Sequence, residues 1–146
     1  MSLKSWKKEF YPKSAKSLRG GDLVRVRHSL QKWRGLTKDN LKRHDVECVG
    51  GDVTEYDKEP DPHYGRFIKA DLPIDSESCA LCVKYFDKEA ASGERCYKCP
   101  LVEVRGKPCD RPFLNSPFTV WQERSNPQPM IELLEKAETM LMEGKK

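Results

Sequence analysis

The sequence predicts a small single α+β domain, residues 1–146, with helices at both ends around an irregular, β-containing centre. Three observations predict it. Apolar residues recur at helical spacing towards both termini, glycines and prolines interrupt every longer period between them, and paired cysteines stand where periodicity is lost. Hydrophobic residues make up 37% of the chain and charged residues 34%. Such a lean core calls for a staple, although 13 aromatic residues are available to pack it.

Ser5 precedes a short amphipathic turn in which Leu3, Trp6 and Phe10 fall at helical spacing. Tyr11-Pro12 ends it, since a proline disfavours helix at the residue before it. A polar connector, 13–21, follows. Asp22 reads as an N-cap, and Leu23, Val26, Leu30 and Trp33 recur at i, i+3, i+7 and i+10, with Gly35 suited to the position past a helix end. Thr37 begins a second short helix, 38–44, with Leu36 and Leu41 as its apolar contacts. The pair has the outline of a helix-turn-helix, an arrangement used more often as scaffold than as DNA reader.

Between residues 46 and 74 the pattern is broken by Gly50-Gly51, Pro60, Pro62 and Pro73. Short strands are expected at 46–49 and 66–70, and the acidic stretch 52–61 reads as an exposed loop. Further on, Ser116-Pro117 is a helix start, with a capping serine and proline at the first helical position. Phe118 and Trp121 share a face of that helix, and Asn126-Pro127-Gln128-Pro129 breaks it. The last helix carries Met130, Leu134, Ala137 and Leu141, widened by Leu133 and Met140. Glu132, Glu135, Lys136, Glu138 and Glu143 face water, and Gly144 stops it.

Residues 76–112 form a cysteine module. Cys79-Ala80-Leu81-Cys82 is followed, after 13 intervening residues, by Cys96-Tyr97-Lys98-Cys99. Cysteines two residues apart turn their sulfurs inward on a tight knuckle, and two facing knuckles supply the tetrahedron that zinc prefers. Soft thiolates favour zinc over calcium or magnesium, with iron as the main competitor. The expected ligands are Cys79, Cys82, Cys96 and Cys99. Cys109, behind the turn Arg105-Gly106-Lys107-Pro108, is the alternative: it completes a set with Cys79, Cys82 and Cys99 if Cys96 points away. Cys48 stands apart and reads as a buried free thiol. Four thiolates around a divalent ion carry net negative charge, which Lys84, Lys98, Arg105 and Lys107 are placed to soften. An all-cysteine site leaves no coordination position for water or substrate, so the expected zinc is structural.

Charge is distributed unevenly. Residues 1–43 hold 13 basic and 3 acidic residues, residues 44–75 hold 3 and 9, and the remainder is balanced. The basic third either meets an acidic partner or folds back on the adjacent acidic segment. As a binding surface its candidates are Arg25, Arg27, Lys32, Arg34, Lys38, Lys42 and Arg43, directed at nucleic acid or at an acidic protein surface. Trp6 and Trp33 are expected in the core. No apolar run is long enough to span a membrane and no apolar segment follows the first lysines, so a reducing cytoplasm is the expected setting. There, CxxC pairs hold metal more often than they form disulfides.

Several blocks carry a resemblance. Cys79-x-Leu81-Cys82-x-x-Tyr85, Cys96-x-x-Cys99-Pro100-Leu101 and Gly106-x-x-Cys109 resemble the cysteine-rich stretch of small proteins encoded by tailed bacteriophages and some bacteria. The opening Ser5-Trp6-Lys7-Lys8-Glu9-Phe10-Tyr11-Pro12 is similar to such proteins too. So are the block His28-Ser29-Leu30-x-Lys32-Trp33-x-Gly35-Leu36 and the tail Pro129-Met130-Ile131. The resemblance implies a phage accessory protein with a metal-binding knuckle, working in the host cytoplasm. It implies no activity.

Sites for other chemistry are sparse. His28 falls off the apolar face and is expected in solvent. His44, beside Asp45, ends a helix, where an imidazole favours the carbonyl dipole. His63 lies in a loop, where Asp57 and Asp61 are its nearest candidates for a mononuclear metal site. No histidine occurs in 83–95, where a His-metal finger nuclease needs its base, and no phosphate loop, GxSxG or HExxH is present. A Cys48–His44 nucleophile pair needs a helix where the sequence reads as extended. The leading expectation is therefore a zinc-stabilised binding protein. The alternatives are a nuclease-like enzyme centred on 52–61 with His63 or His44, and an assembly factor that oligomerises through its last helix.

Overall fold

The computed structural model describes residues 1–85, 99–110 and 114–144, with Ser76 described by its backbone alone. It is an α+β domain. In chain order the elements are α1 (Leu3–Phe10), α2 (Asp22–Arg34), α3 (Lys38–Arg43), β1 (Glu47–Val49), β2 (Asp52–Tyr56), β3 (Ile68–Pro73), a 3-10 turn (Ser76–Ser78), α4 (Ala80–Tyr85), α5 (Pro100–Arg105), α6 (Pro117–Arg124) and α7 (Gln128–Glu143). The strands form one antiparallel sheet in the order β1-β2-β3. Helix α2 packs against α7, α4 and α1, while α5 and α6 lean on α7.

Most residues of the expected apolar periods are buried, while Leu23, Phe118, Met140 and Leu141 are only half-buried. Trp6, Trp33 and Trp121 are at most 2% exposed, and each full burial contributes of order 5 kcal/mol as an upper bound. Trp33 meets Trp121 edge-on at 5.5 Å, and Phe118 at 6.3 Å. This cluster joins α2 to α6. Helix α1 starts one turn earlier than its sequence suggested, because Ser2 and Ser5 cap each other's orphan amides in a reciprocal box. Its end is docked by Trp6, whose Nε1 donates to the Gly35 carbonyl at 2.8 Å. Gly35 is not left-handed as a helix-ending glycine usually is, with φ −70°. It is glycine because a Cβ there would stand 2.4 Å from Phe10 Cγ.

The stretch 52–61, expected as a loop, is a strand over its first half. Gly50 and Gly51 both have positive φ, 59° and 87°. That conformation builds the two-residue hairpin turn that reverses β1 into β2. Val53 and Thr54 are then buried on opposite faces of the sheet, which is possible only for a central strand covered on both sides. Acidic composition misled the reading, because Asp52 and Glu55 remain only half-buried while apolar and hydroxyl neighbours fill the core. Strand β3 is an edge, and an irregular one. Glu55 pairs with Ala70 but Tyr56 with Ile68, so Lys69 is an extra residue, and the strand ends at Pro73.

The basic third does fold back on acids of the same chain, chiefly on α7 and α1, while its contact with the neighbouring segment is the N-terminal ammonium 3.9 Å from Asp45. Arg27 pairs with Glu138 at 3.0 Å and Arg34 with Glu135 at 3.3 Å, both on α7. Arg43 clasps Glu9 of α1 through two hydrogen bonds, at 2.6 and 2.9 Å. The acids of the middle segment instead find partners beside them, Glu47 with Arg66 and Glu55 with Lys69.

Candidate metal centre and binding surfaces

Cys79 precedes α4, and the first turn of that helix places Cys82 against it. The Cys79 thiol is held well below its ordinary range. The largest cause is a hydrogen bond with the Cys82 side chain; burial opposes it, and the Lys32 cation, the Cys82 backbone N–H and Ser29 add to it. Ser29 Oγ lies 3.6 Å from Cys79 Sγ. Donors converging on a sulfur favour its anionic form. Such an N–H aimed at the first sulfur is what a cysteine knuckle provides for a metal-bound thiolate.

Lys32 is the residue that sequence reasoning misplaced most. Expected on a basic surface, it is 1% exposed. Its Nζ donates to the Ser78 carbonyl at 2.9 Å and lies 3.4 Å from Ser78 Oγ. Cys79, Cys82 and Cys109 are all within electrostatic reach of the ammonium, as is Asp75. Burial pushes the lysine below its ordinary value, and these acidic groups oppose that shift. A buried lysine costs several kcal/mol unless anions and acceptors surround it. Here the Ser78 carbonyl is the acceptor in contact, and three cysteines, from two separate parts of the chain, offset part of the burial cost from within electrostatic reach. Of the cations expected to soften thiolate charge, Lys84 is instead drawn to Asp22 at 2.8 Å. Arg105 Nη1 donates to the Pro108 carbonyl at 2.6 Å, which fixes the turn leading to Cys109. Lys98 lies outside the described residues.

Cys99 is 6% exposed and begins α5, with Pro100 at the first helical position. Cys109 is half-buried against the core, and its carbonyl accepts from Phe118 N at 3.0 Å, which ties the module to α6. Cys96 lies outside the described residues. Among the described residues, no group of three or more His, Cys, Asp and Glu side chains is gathered closely enough to hold a metal.

The remaining candidates are dispersed. His28 is 7% exposed, not solvated. Its Nε2 lies 2.7 Å from the Lys13 carbonyl, which can only accept, so that nitrogen carries the proton, and Nδ1 has no partner among the described residues. Burial drives its pKa down. The signal was available: His28, Ser29 and Lys32 lie on one side of α2, but polar residue types hid it. His44 is held by Ser5 Oγ at 2.8 Å and Glu9 Oε2 at 2.6 Å, so it is not the partner of Cys48. The Cys48 sulfur instead accepts from Ser125 Oγ at 3.3 Å. Asp61 caps its own loop, accepting from His63 N and Tyr64 N.

Of the basic surface candidates, Arg25 donates to the Gly20 and Ala80 carbonyls. With Arg27, Arg34 and Arg43 ion-paired and Lys32 buried, Lys38 and Lys42 are left on the exposed face of α3. No described helix is long and apolar enough to cross a membrane. Comparison with protein-family models, with curated proteins and with solved structures finds no match for the chain.

Proposed function

We propose that this chain is a small zinc-stabilised accessory protein of the bacteriophage type, in which the metal is structural and the work is binding to another protein. The observation that carries the metal reading is the burial of Lys32, hydrogen-bonded to the Ser78 carbonyl beside Cys79, with Cys82 and Cys109 also within its electrostatic reach. Thiolates that stay ionised in a core need a counter-charge, and a thiolate-rich zinc centre carries an excess of negative charge that one ammonium offsets. Zinc would be held by Cys79 and Cys82 together with two of Cys96, Cys99 and Cys109. It would contribute folding free energy there, joining α4, α5 and the turn before α6.

Protein is favoured over nucleic acid as partner because the arginines of α2 and α3 are occupied inside the molecule. Each paired arginine has little net field left to recruit phosphate. Two measurements test the reading. Elemental analysis of the purified protein should find one zinc per chain, and a strong chelator should unfold it, with Cys48→Ser retaining the metal. A metal-free yet folded protein would overturn the first half. Tight binding to a random single-stranded oligonucleotide, lost steeply as salt rises, would overturn the second.

A further inference from the structure

One cleft outside the cysteine module has the features of a peptide groove. It lies between α3 and β1, encloses about 510 Å³, and is lined by Lys38, Leu41, Lys42, Val46, Cys48 and Ser125 among others. That volume is typical of ligand-binding clefts. One wall is a free sheet margin, because β1 is the first strand in the order β1-β2-β3. The two-residue turn at Gly50-Gly51 makes Val49 and Asp52 the closing pair of the hairpin, bonded across it. Cys48, opposite Val53, therefore occupies the alternate position, where backbone N–H and C=O point away from β2. They point out of the sheet at its β1 margin, and Cys48 is itself one of the residues that line the cleft.

The other wall is α3. Lys38 and Lys42 are one turn apart on its exposed side and make no ion pair among the described residues. Of the two carboxylates that also line the cleft, Glu47 is engaged by Arg66 at 2.8 Å and Asp45 lies 3.9 Å from the N-terminal ammonium, so each already has a cation of its own. Leu36, Leu41 and Val46 give the floor apolar character. The groove thus offers backbone groups with no partner among the described residues on one side, positive charge on the other, and an apolar base.

We propose that this cleft takes an extended acidic segment of a partner protein, added to the sheet as a fourth strand beside β1. The inference rests on the protein-binding reading above and gives it a place. The incoming strand would bond to the Cys48 amide and carbonyl. Its carboxylates, two residues apart and so on one side, would face Lys38 and Lys42, with an apolar side chain on the floor between them.

The test uses the zinc-loaded protein and a fluorescein-labelled hexapeptide of alternating glutamate and valine. Saturable binding is expected. It should weaken by about tenfold or more in the Lys38→Glu, Lys42→Glu double variant, since two exposed charge pairs are not only lost but reversed. A peptide with proline in place of its central valine, which lacks the amide a strand needs, should bind as poorly. Location is read from Cys48: the bound peptide should slow its alkylation by iodoacetamide in the parent protein and leave it unchanged in the double variant. No binding, equal binding by the double variant or the proline peptide, or unprotected Cys48 each overturns the proposal. Protection of Cys48 by a single-stranded oligonucleotide instead of the peptide overturns it in favour of nucleic acid. Zinc content and circular dichroism, measured on the same samples, report separately on the metal reading.

Discussion

Replacing Lys32 by methionine separates two accounts of the buried cation. The side chains have similar length, so the shape of the core is kept while the charge and its donors are removed. The Ser78 carbonyl loses its 2.9 Å partner. Ser78 Oγ does not, because it still accepts from Asp75 N and donates to the Asp75 carbonyl. One orphaned buried acceptor costs about 1–3 kcal/mol. Withdrawing the cation from ionised sulfurs adds to this, since breaking a buried pair on one side costs about 3–5 kcal/mol in comparable cases. The methionine recovers part of the loss, having no charge to desolvate. The net expectation is a loss of about 2–4 kcal/mol for the zinc-loaded protein, together with weaker zinc binding. Urea unfolding in the presence of zinc measures the first, and competition with a chromophoric chelator measures the second. If Lys32→Met is as stable as the parent or more so, and holds zinc equally well, the lysine is merely a desolvated charge and its role as counter-ion is refuted.

Three further outcomes are expected. Gly35→Ala should destabilise by about 1–3 kcal/mol in urea unfolding, because a Cβ 2.4 Å from Phe10 Cγ outweighs the few tenths gained from a stiffer unfolded chain; an unchanged midpoint would contradict the close approach. Burial pushes the Asp22 carboxyl up, but hydrogen bonds from Lys84 and Tyr85 together hold it below its ordinary value of 3.8. A depressed carboxylate stabilises above its unfolded pKa and ceases to do so as pH falls through the folded one. Asp22→Asn should therefore cost at most about 1 kcal/mol at neutral pH after solvent screening, and that gap should close below about pH 3.8. Trp121→Phe removes the donor to the Gly51 carbonyl, at 3.2 Å, and the edge-on partner of Trp33. A loss of about 1–3 kcal/mol and a diminished near-ultraviolet dichroism are expected.

The helices were legible because their signals are local. Leu3, Trp6 and Phe10, the capping Ser116 with Pro117, and the stripe from Met130 to Ala137 all state their positions within a few residues, and those apolar residues are the buried ones. The sheet was harder to read. Half of β2 is acidic, and its burial depends on β1 and β3 arriving on either side, which no local pattern states. The surroundings of the cysteines were the least legible. Spacing marked the sulfurs, but their cation comes from Lys32, 47 positions before Cys79, on a helix whose apolar period runs along its other side. A lysine inside a core carries no sequence signature. Charge blocks gave a similar lesson: the basic residues of α2 chose the glutamates of α7, more than 100 positions away, because α2 and α7 pack side by side.

The irregularity in β3 limits how molecules of this kind can aggregate. An inserted Lys69 twists that margin and puts charge on it, and Pro73 denies it an amide. Fibril growth by strand stacking requires each subunit to present two compatible margins, one for the molecule before it and one for the molecule after. Among the described residues this domain presents only one, at β1. A strand added at β1 would therefore end the series it starts, so an open margin there would not make the chain a seed for polymerisation.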